Sequence, residues 1–364
     1  MLPEDDFTGG SLSEVDALED RIIKRYSGSI DRGSEKLHNE YKWLCAIPTS
    51  LMEEMPLIFP KAIRFNIEQG KMCTELHISR LHRLSLSKAI LKDLITADRT
   101  RAFFKTSLDV LINKVYSMRN GVVEPDSGYS QYHSSRITLA KKYLRRLPYM
   151  EPILNAASIT VNGTTCPSIN QFLSWLDDTC HKIFLSTTLL SIHGNYHLDN
   201  ILVDWENSAS PNTITFIDPR GDLLGYPHYD IGKLLITLEG YYDEIHYGYY
   251  ELTARRKGNS YDISLQIDER HNPHYEMCLR ELNGWLDKFS EVEKVQKRNF
   301  QWMILTTECI HILSFCFYHA FGPGSEPNRI RAFIAVFALL VKRLFKMWEA
   351  GQPDELQENR LSLR

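Results

Sequence analysis

The chain has 364 residues, 43% of them hydrophobic and 24% charged, with a formal net charge of −4. That length can bury a full core and suggests about two domains or lobes, and the mildly acidic balance argues against a dominant nucleic-acid-binding role, which needs concentrated Lys and Arg. Seven scattered cysteines without a Cys-x-x-Cys pair read as reduced thiols in a cytoplasmic protein, and the most apolar run, Ala332 to Val341, is ten residues long and too short to span a bilayer.

The N-terminal MLPEDDFTGG is acidic and lacks the basic-then-apolar order of a signal peptide. From Phe7 to Arg25 the pattern predicts strand, glycine turn, strand, turn and strand. Gly9 and Gly10 sit where a backbone can approach phosphate closely, with Ser11 and Ser13 as further donors, although Gly-Gly-Ser is also an ordinary hairpin loop. Lys24 lies in the short apolar strand RIIKRY. A helix follows over Ser34 to Ala46, with Leu37, Tyr41, Leu44 and Cys45 on one face and Glu40 at its middle. Leu57 to Pro60, Ala62 to Asn66 and Lys71 to Ile78 read as strands, completing a small antiparallel sheet.

Beyond residue 81 the chain becomes predominantly helical. Ser85 can cap a helix through Leu94, and Arg101 to Met118 repeats apolar residues at helical spacing. Asn120 to Ser135 reads as a loop, Thr138 to Leu147 as a basic amphipathic helix, Ile159 to Pro167 as a hairpin around Asn162-Gly163, and Ile169 to Leu185 as a helix. Then comes SIHGNYHLDNILVDWENSASPNTITFIDPRGD, Ser191 to Asp222, in which His, Asn and Asp residues cluster at the ends of two β-type runs, Asn200 to Trp205 and Thr213 to Ile217. Asn200 and Asp218 both offer oxygen ligands, and magnesium takes one or two such side chains together with substrate phosphates. His193, position 195 and Asn200 also have the spacing of a kinase catalytic loop, with Asp218 on a later strand end. Three long helices close the chain, Pro273 to Phe289, Val292 to Phe321 and Pro327 to Ala350, followed by a charged tail expected to fray.

HGNYHLDNIL followed by FIDPRGD resembles the signature of the aminoglycoside phosphotransferase and choline kinase superfamily, usually HGDLHPGN followed by an IDWxxxG-like motif. GYPHYDIGKLL, Gly225 to Leu235, extends the likeness. Together with AIPTSL it is similar to phosphotransferase-like proteins encoded with bacterial capsule and surface-polysaccharide genes. The resemblance implies an α+β, two-lobed protein-kinase-like fold: a sheet-based N-lobe over residues 1–80, a helical C-lobe over 81–350, and a charged tail over 351–364. It implies ATP and Mg2+ as cofactors, with the adenine near Glu75 to Leu81. Gly9, Gly10, Ser11 and Lys24 would cradle phosphate, Glu40 would pair with Lys24, His193 would hold the loop, and Asn200 and Asp218 would bind the metal.

The proton-accepting Asp of that family should stand at position 195, where this chain has Asn195. An amide takes no proton at neutral pH, so a general-base contribution of about a hundredfold or more would be missing. Two readings follow: a kinase whose Asn195 orients the hydroxyl of a small-molecule acceptor such as a sugar, or a pseudokinase-like protein that binds ligand without turnover. Asp199 fills a slot where the family usually has a small residue and is not promoted to base. His197 carries no assigned role. Asp230 reads as a cap or structural anchor, Arg220 as a phosphate contact or a structural salt bridge, and the aromatic run Tyr242 to Tyr250 as core packing or an acceptor-pocket wall. His77, His82, His133, His311 and His319 read as surface or satisfied core residues, since nothing pairs them at zinc spacing.

Overall fold

Ile22, Lys24 and Tyr26 alternate along β2 (Arg21–Tyr26) and therefore share one face of the sheet. All three are buried. With β1 (Glu14–Ala17), β3 (Ala62–Glu68) and β4 (Cys73–Ser79), β2 forms a four-stranded antiparallel sheet in the order β1-β2-β4-β3. The helix Asp31–Cys45 buries Leu37, Glu40 and Leu44, spaced as one helical face, against the same side. The two periodicities thus aim a lysine and a glutamate at each other inside the same apolar layer. The structure is a computed structural model that describes residues 14–26, 31–68, 73–118, 120–124, 133–184, 187–221, 224–321, 326–353 and 360–363.

The strand expected over Leu57 to Pro60 is not formed. Pro56 and Pro60 remove backbone donors at both ends of the segment, and it runs as an irregular connection that buries Ile58 and Phe59. The Ile58 carbonyl accepts from the Phe216 amide at 2.8 Å, tying the N-terminal sheet region to the polar strand pair further on. A short helix, Thr49–Glu54, precedes it.

The remainder is mainly helical, as expected, with helices Leu86–Leu91, Ala97–Val110, Ser135–Leu144, Ile169–Ile183, Pro227–Leu238, Lys297–Phe321 and Pro327–Ala350. The single helix expected over Pro273 to Phe289 is two, Asn272–Asn283 and Leu286–Glu293, interrupted at Gly284. Helix Pro227–Leu238 is buried along its whole length, and Gly232 lets Lys297–Phe321 come close: a Cβ there would lie 2.7 Å from the Thr307 side chain.

Three small sheets are inserted among the helices. β5 (Leu84–Ser85), β10 (Ile201–Val203) and β11 (Ile214–Phe216) pair in the order β11-β10-β5. β6 (Asn120–Glu124) pairs with β9 (Thr187–Leu190), so the loop expected over Asn120 to Ser135 begins as a strand. The Asn162-Gly163 hairpin joins β7 (Ser158–Val161) to β8 (Thr164–Pro167) with both turn residues at positive φ, as a type I′ turn requires. A second hairpin, β12 (Tyr250–Lys257) and β13 (Ser260–Ile267), was not expected and completes the sheet β12-β13-β7-β8, in which β13 and β7 run parallel. The tail is another difference. Arg360, Leu361 and Leu363 are buried rather than frayed. Among the described residues no helix is long and apolar enough to cross a membrane.

Candidate active site

The polar stretch folds as two loops laid against each other, residues 191–200 between β9 and β10, and residues 217–221 after β11. Backbone hydrogen bonds knit them, from the Ile217 amide to the Asn200 carbonyl at 3.0 Å and from the Arg220 amide to the His193 carbonyl at 2.9 Å. Asp230, in the first turn of helix Pro227–Leu238, is the anchor beneath. It accepts from the amides of His193 at 3.0 Å and Gly194 at 2.6 Å. Gly194 has φ +73° and a Cβ there would stand 2.7 Å from that of Arg220, so both backbone conformation and space demand glycine. Gly221, at φ +93°, lets the second loop touch the helix Asp31–Cys45 at Asn39, where a Cβ would come within 2.3 Å of the backbone.

That approach delivers Asp218 to the buried pair. Lys24 Nζ lies 2.6 Å from Glu40 Oε1 and 2.8 Å from Asp218 Oδ1. Lys36, one turn before Glu40, reaches Asp218 Oδ2 at 3.3 Å. The Asn195 amide donates to Asp218 Oδ2 at 2.6 Å and to the Asp218 carbonyl at 3.1 Å, and the Asn200 amide donates to the Asn195 carbonyl at 2.8 Å. Burial alone would lift the Asp218 carboxyl, but the ammonium groups of Lys24 and Lys36 outweigh it and hold the group well below the usual carboxylate range. Burial likewise opposes charge on Lys24, and the carboxylates of Asp218 and Glu40 outweigh it, keeping the lysine protonated. Asp218 is itself in the left-handed region, φ 55°, a conformation that costs a non-glycine residue about 1–2 kcal/mol. The triad and the Asn195 contact hold it there.

Lys24, Glu40, Asn195, Asn200 and Asp218, picked out from sequence, therefore converge. Gly9, Gly10 and Ser11 lie outside the described residues. His193 sits under the loop rather than facing an opening: its ring packs edge-on against Trp43, Tyr196 and Phe216, and its Nδ1 accepts from the Asn195 amide at 3.3 Å. Burial pushes it down to about 4, so it is neutral and a weak base.

No family model matches the chain, and no curated protein matches it. Among solved structures, the crystal structure of a "putative aminoglycoside phosphotransferase" from Ralstonia eutropha JMP134 is similar over 92% of each chain, at 11% sequence identity and a TM-score of 0.45.

Sequence reasoning misses one residue of the site, Lys36, although its i, i+4 relation to Glu40 is present in the sequence. Asp199 Oδ1 accepts from Ser85 Oγ at 2.7 Å and from the Tyr247 hydroxyl at 2.8 Å. Arg220 lies over the Tyr229 ring at 5.0 Å. Among the described residues no group of three or more His, Cys, Asp or Glu could hold a metal by itself. A divalent cation here would have Asp218 and Asn200 as oxygen donors and would depend on substrate phosphates for the rest, a donor set that suits magnesium.

Asp230 gives a pH-dependent expectation. Burial raises its carboxyl to about 7 despite the two amide donors. A carboxyl whose folded-state pKa is raised above its unfolded value contributes stability below the unfolded value, near 4, and loses it as pH rises through 7. The stability advantage of the native chain over Asp230→Asn should therefore shrink by about 1–4 kcal/mol between pH 4 and pH 7.5. Urea denaturation of both proteins at the two pH values measures this, and a constant difference contradicts it.

Proposed function

We propose that the chain is an ATP- and magnesium-dependent kinase that transfers the γ-phosphoryl group to a hydroxyl of a small molecule, a sugar or sugar-like metabolite. The observation that carries the reading is the buried Lys24–Glu40 pair meeting Asp218, Asn195 and Asn200 at one point. Phosphoryl transfer proceeds through a loose transition state, so positioning and electrostatic stabilisation supply most of the catalysis. Lys24, fixed by Glu40, would meet phosphate oxygens of the nucleotide. Asp218 and Asn200 would hold Mg2+, which when bound neutralises charge on the transferring group. Asn195 would orient the acceptor hydroxyl, whose proton leaves to solvent because the amide cannot take it.

The native chain should gain thermal stability with ATP and Mg2+ together, and Lys24→Met should lose that gain. Equal shifts in both proteins, or none in the native chain, would count against the reading. A second reading, nucleotide or ligand binding without turnover, is favoured by one contact: the Asn195 amide bonds to the very carboxylate that would bind metal. Nucleotide binding without product from any of a panel of sugars and aminoglycosides, unchanged in Asn195→Asp, supports it.

A further inference from the structure

The Asp218 carboxylate is engaged at both oxygens. Lys24 Nζ stands 2.8 Å from Oδ1, the Asn195 amide 2.6 Å from Oδ2, and Lys36 Nζ 3.3 Å from Oδ2. A magnesium ion takes oxygen ligands at about 2.0–2.1 Å in near-octahedral geometry, so it would crowd these donors and meet the repulsion of two ammonium groups. One of the three contacts must therefore yield before Asp218 can ligate a divalent cation. Solvent reaches this place, since the side chains of Asp218 and Lys36 are 20% and 28% exposed.

The three donors differ in how firmly they are tied. Lys24 is held at 2.6 Å by Glu40, whose side chain is fully buried, and moving the lysine would strip that buried carboxylate of its hydrogen-bonded cation, a costly loss. Asn195 Nδ2 donates a second time, to the Asp218 carbonyl at 3.1 Å, so the amide is fastened to the backbone of the residue whose side chain it bonds. Lys36 makes the longest of the three contacts, is more exposed than Lys24, and carries its charge on a flexible four-carbon stem. It is the donor that a cation displaces at least cost. Lys36 stands one helical turn from Glu40, so the displaced ammonium remains beside the Lys24–Glu40 pair. The phosphates proposed to meet Lys24 would there replace Asp218 as its anionic partner, because an ammonium binds phosphate as a compact point charge.

We propose that Lys36 is a second nucleotide-binding lysine that guards Asp218: it rests on the carboxylate and passes to a phosphate group of the nucleotide as the divalent metal takes its place. The proposal rests on the kinase reading. Its consequence is linkage. Each ligand removes an obstacle to the other, so metal and nucleotide favour each other's binding by the same factor in both directions. Two measurements on the full native chain, Lys36→Met and Lys36→Arg test this. Binding of Mn2+, a paramagnetic stand-in for Mg2+, is followed without nucleotide from the electron paramagnetic resonance signal of the free ion, and binding of ATP with Mg2+ by titration calorimetry. Lys36→Met should bind Mn2+ alone about tenfold more tightly than the native chain and ATP with Mg2+ about tenfold more weakly, opposite changes that a loss of fold does not produce. Lys36→Arg keeps the charge and should resemble the native chain in both. Unliganded melting of each variant checks that it folds. An affinity for Mn2+ or for ATP with Mg2+ that is unchanged in Lys36→Met, or a Lys36→Arg that behaves as Lys36→Met does, overturns the proposal. A native chain that binds no ATP even with Mg2+ removes the kinase reading and this proposal with it, whereas ATP binding equal in all three chains removes only the role of Lys36.

Discussion

Asn195→Asp is expected to raise turnover about a hundredfold or more over the native chain, the usual contribution of a positioned general base. At 25 °C that corresponds to at least about 2.7 kcal/mol of activation free energy. The geometry supplies both the reason and an opposing cost. Position 195 lies within hydrogen-bond reach of Asp218, on the loop that leads to Asn200, so a carboxylate there would stand beside the positions proposed for metal and acceptor. Without metal, however, it would exchange a 2.6 Å hydrogen bond for like charge against like charge, relieved only in part by Lys24 and Lys36. The variant should therefore melt at a lower temperature than the native chain when metal-free and recover more stability on adding ATP and Mg2+. Initial rates of ADP release with the tightest-binding acceptor measure the gain. A variant no faster than the native chain removes loss of the base as the explanation and favours binding without turnover.

The parts legible in sequence were those whose pattern is local. Lys24 and Glu40 were matched through the resemblance, and periodicity then explains why the structure buries both: a strand alternates with period two and a helix repeats near 3.6, so each residue's own element sets its inward direction. Asn200 and Asp218 were legible because two short β-type runs with polar ends can present groups to one ligand. What escaped depends on contacts between distant segments. The strand Asn120–Glu124 has β character only against Thr187–Leu190, more than sixty residues on. Hairpin Tyr250–Lys257 and Ser260–Ile267 lies in a stretch whose outward face is charged, and its sheet is completed by a parallel strand about a hundred residues earlier. Leu57 to Pro60 misled in the opposite way. Its apolar residues suit a strand, yet its flanking prolines and its docking on Phe216 decide otherwise. Asp199 looked like a departure from a family pattern, and only its hydroxyl partners, Ser85 and Tyr247, show what its carboxylate does in the fold.

Arg360→Met should cost about 3–5 kcal/mol of stability, the loss typical of removing one partner from a buried ion pair. Composition predicts an exposed, frayed tail, but the Arg360 side chain is 1% exposed and pairs with Glu244, which is fully buried. Its Nε donates to the Leu238 carbonyl at 3.0 Å and its Nη2 to the Thr237 carbonyl at 3.0 Å. Those are carbonyls of the last turn of helix Pro227–Leu238, which lack partners within the helix. Arg360 therefore caps, from the far end of the chain, the helix whose first turn carries Asp230 under the loop of residues 191–200. The guanidinium also lies between the rings of Tyr241 at 3.9 Å and Tyr275 at 4.1 Å, a contact that a flat, delocalised cation makes better than an ammonium. Arg360→Lys should consequently recover only part of the loss, and a chain ending at Pro353 should lose about as much as Arg360→Met. In urea denaturation, a loss below about 1 kcal/mol for Arg360→Met would mean that the tail does not hold this helix. A full loss with unchanged ATP binding would make the anchor purely structural. A full loss accompanied by weaker ATP binding would show that the cap at one end of the helix reaches the loop held at the other.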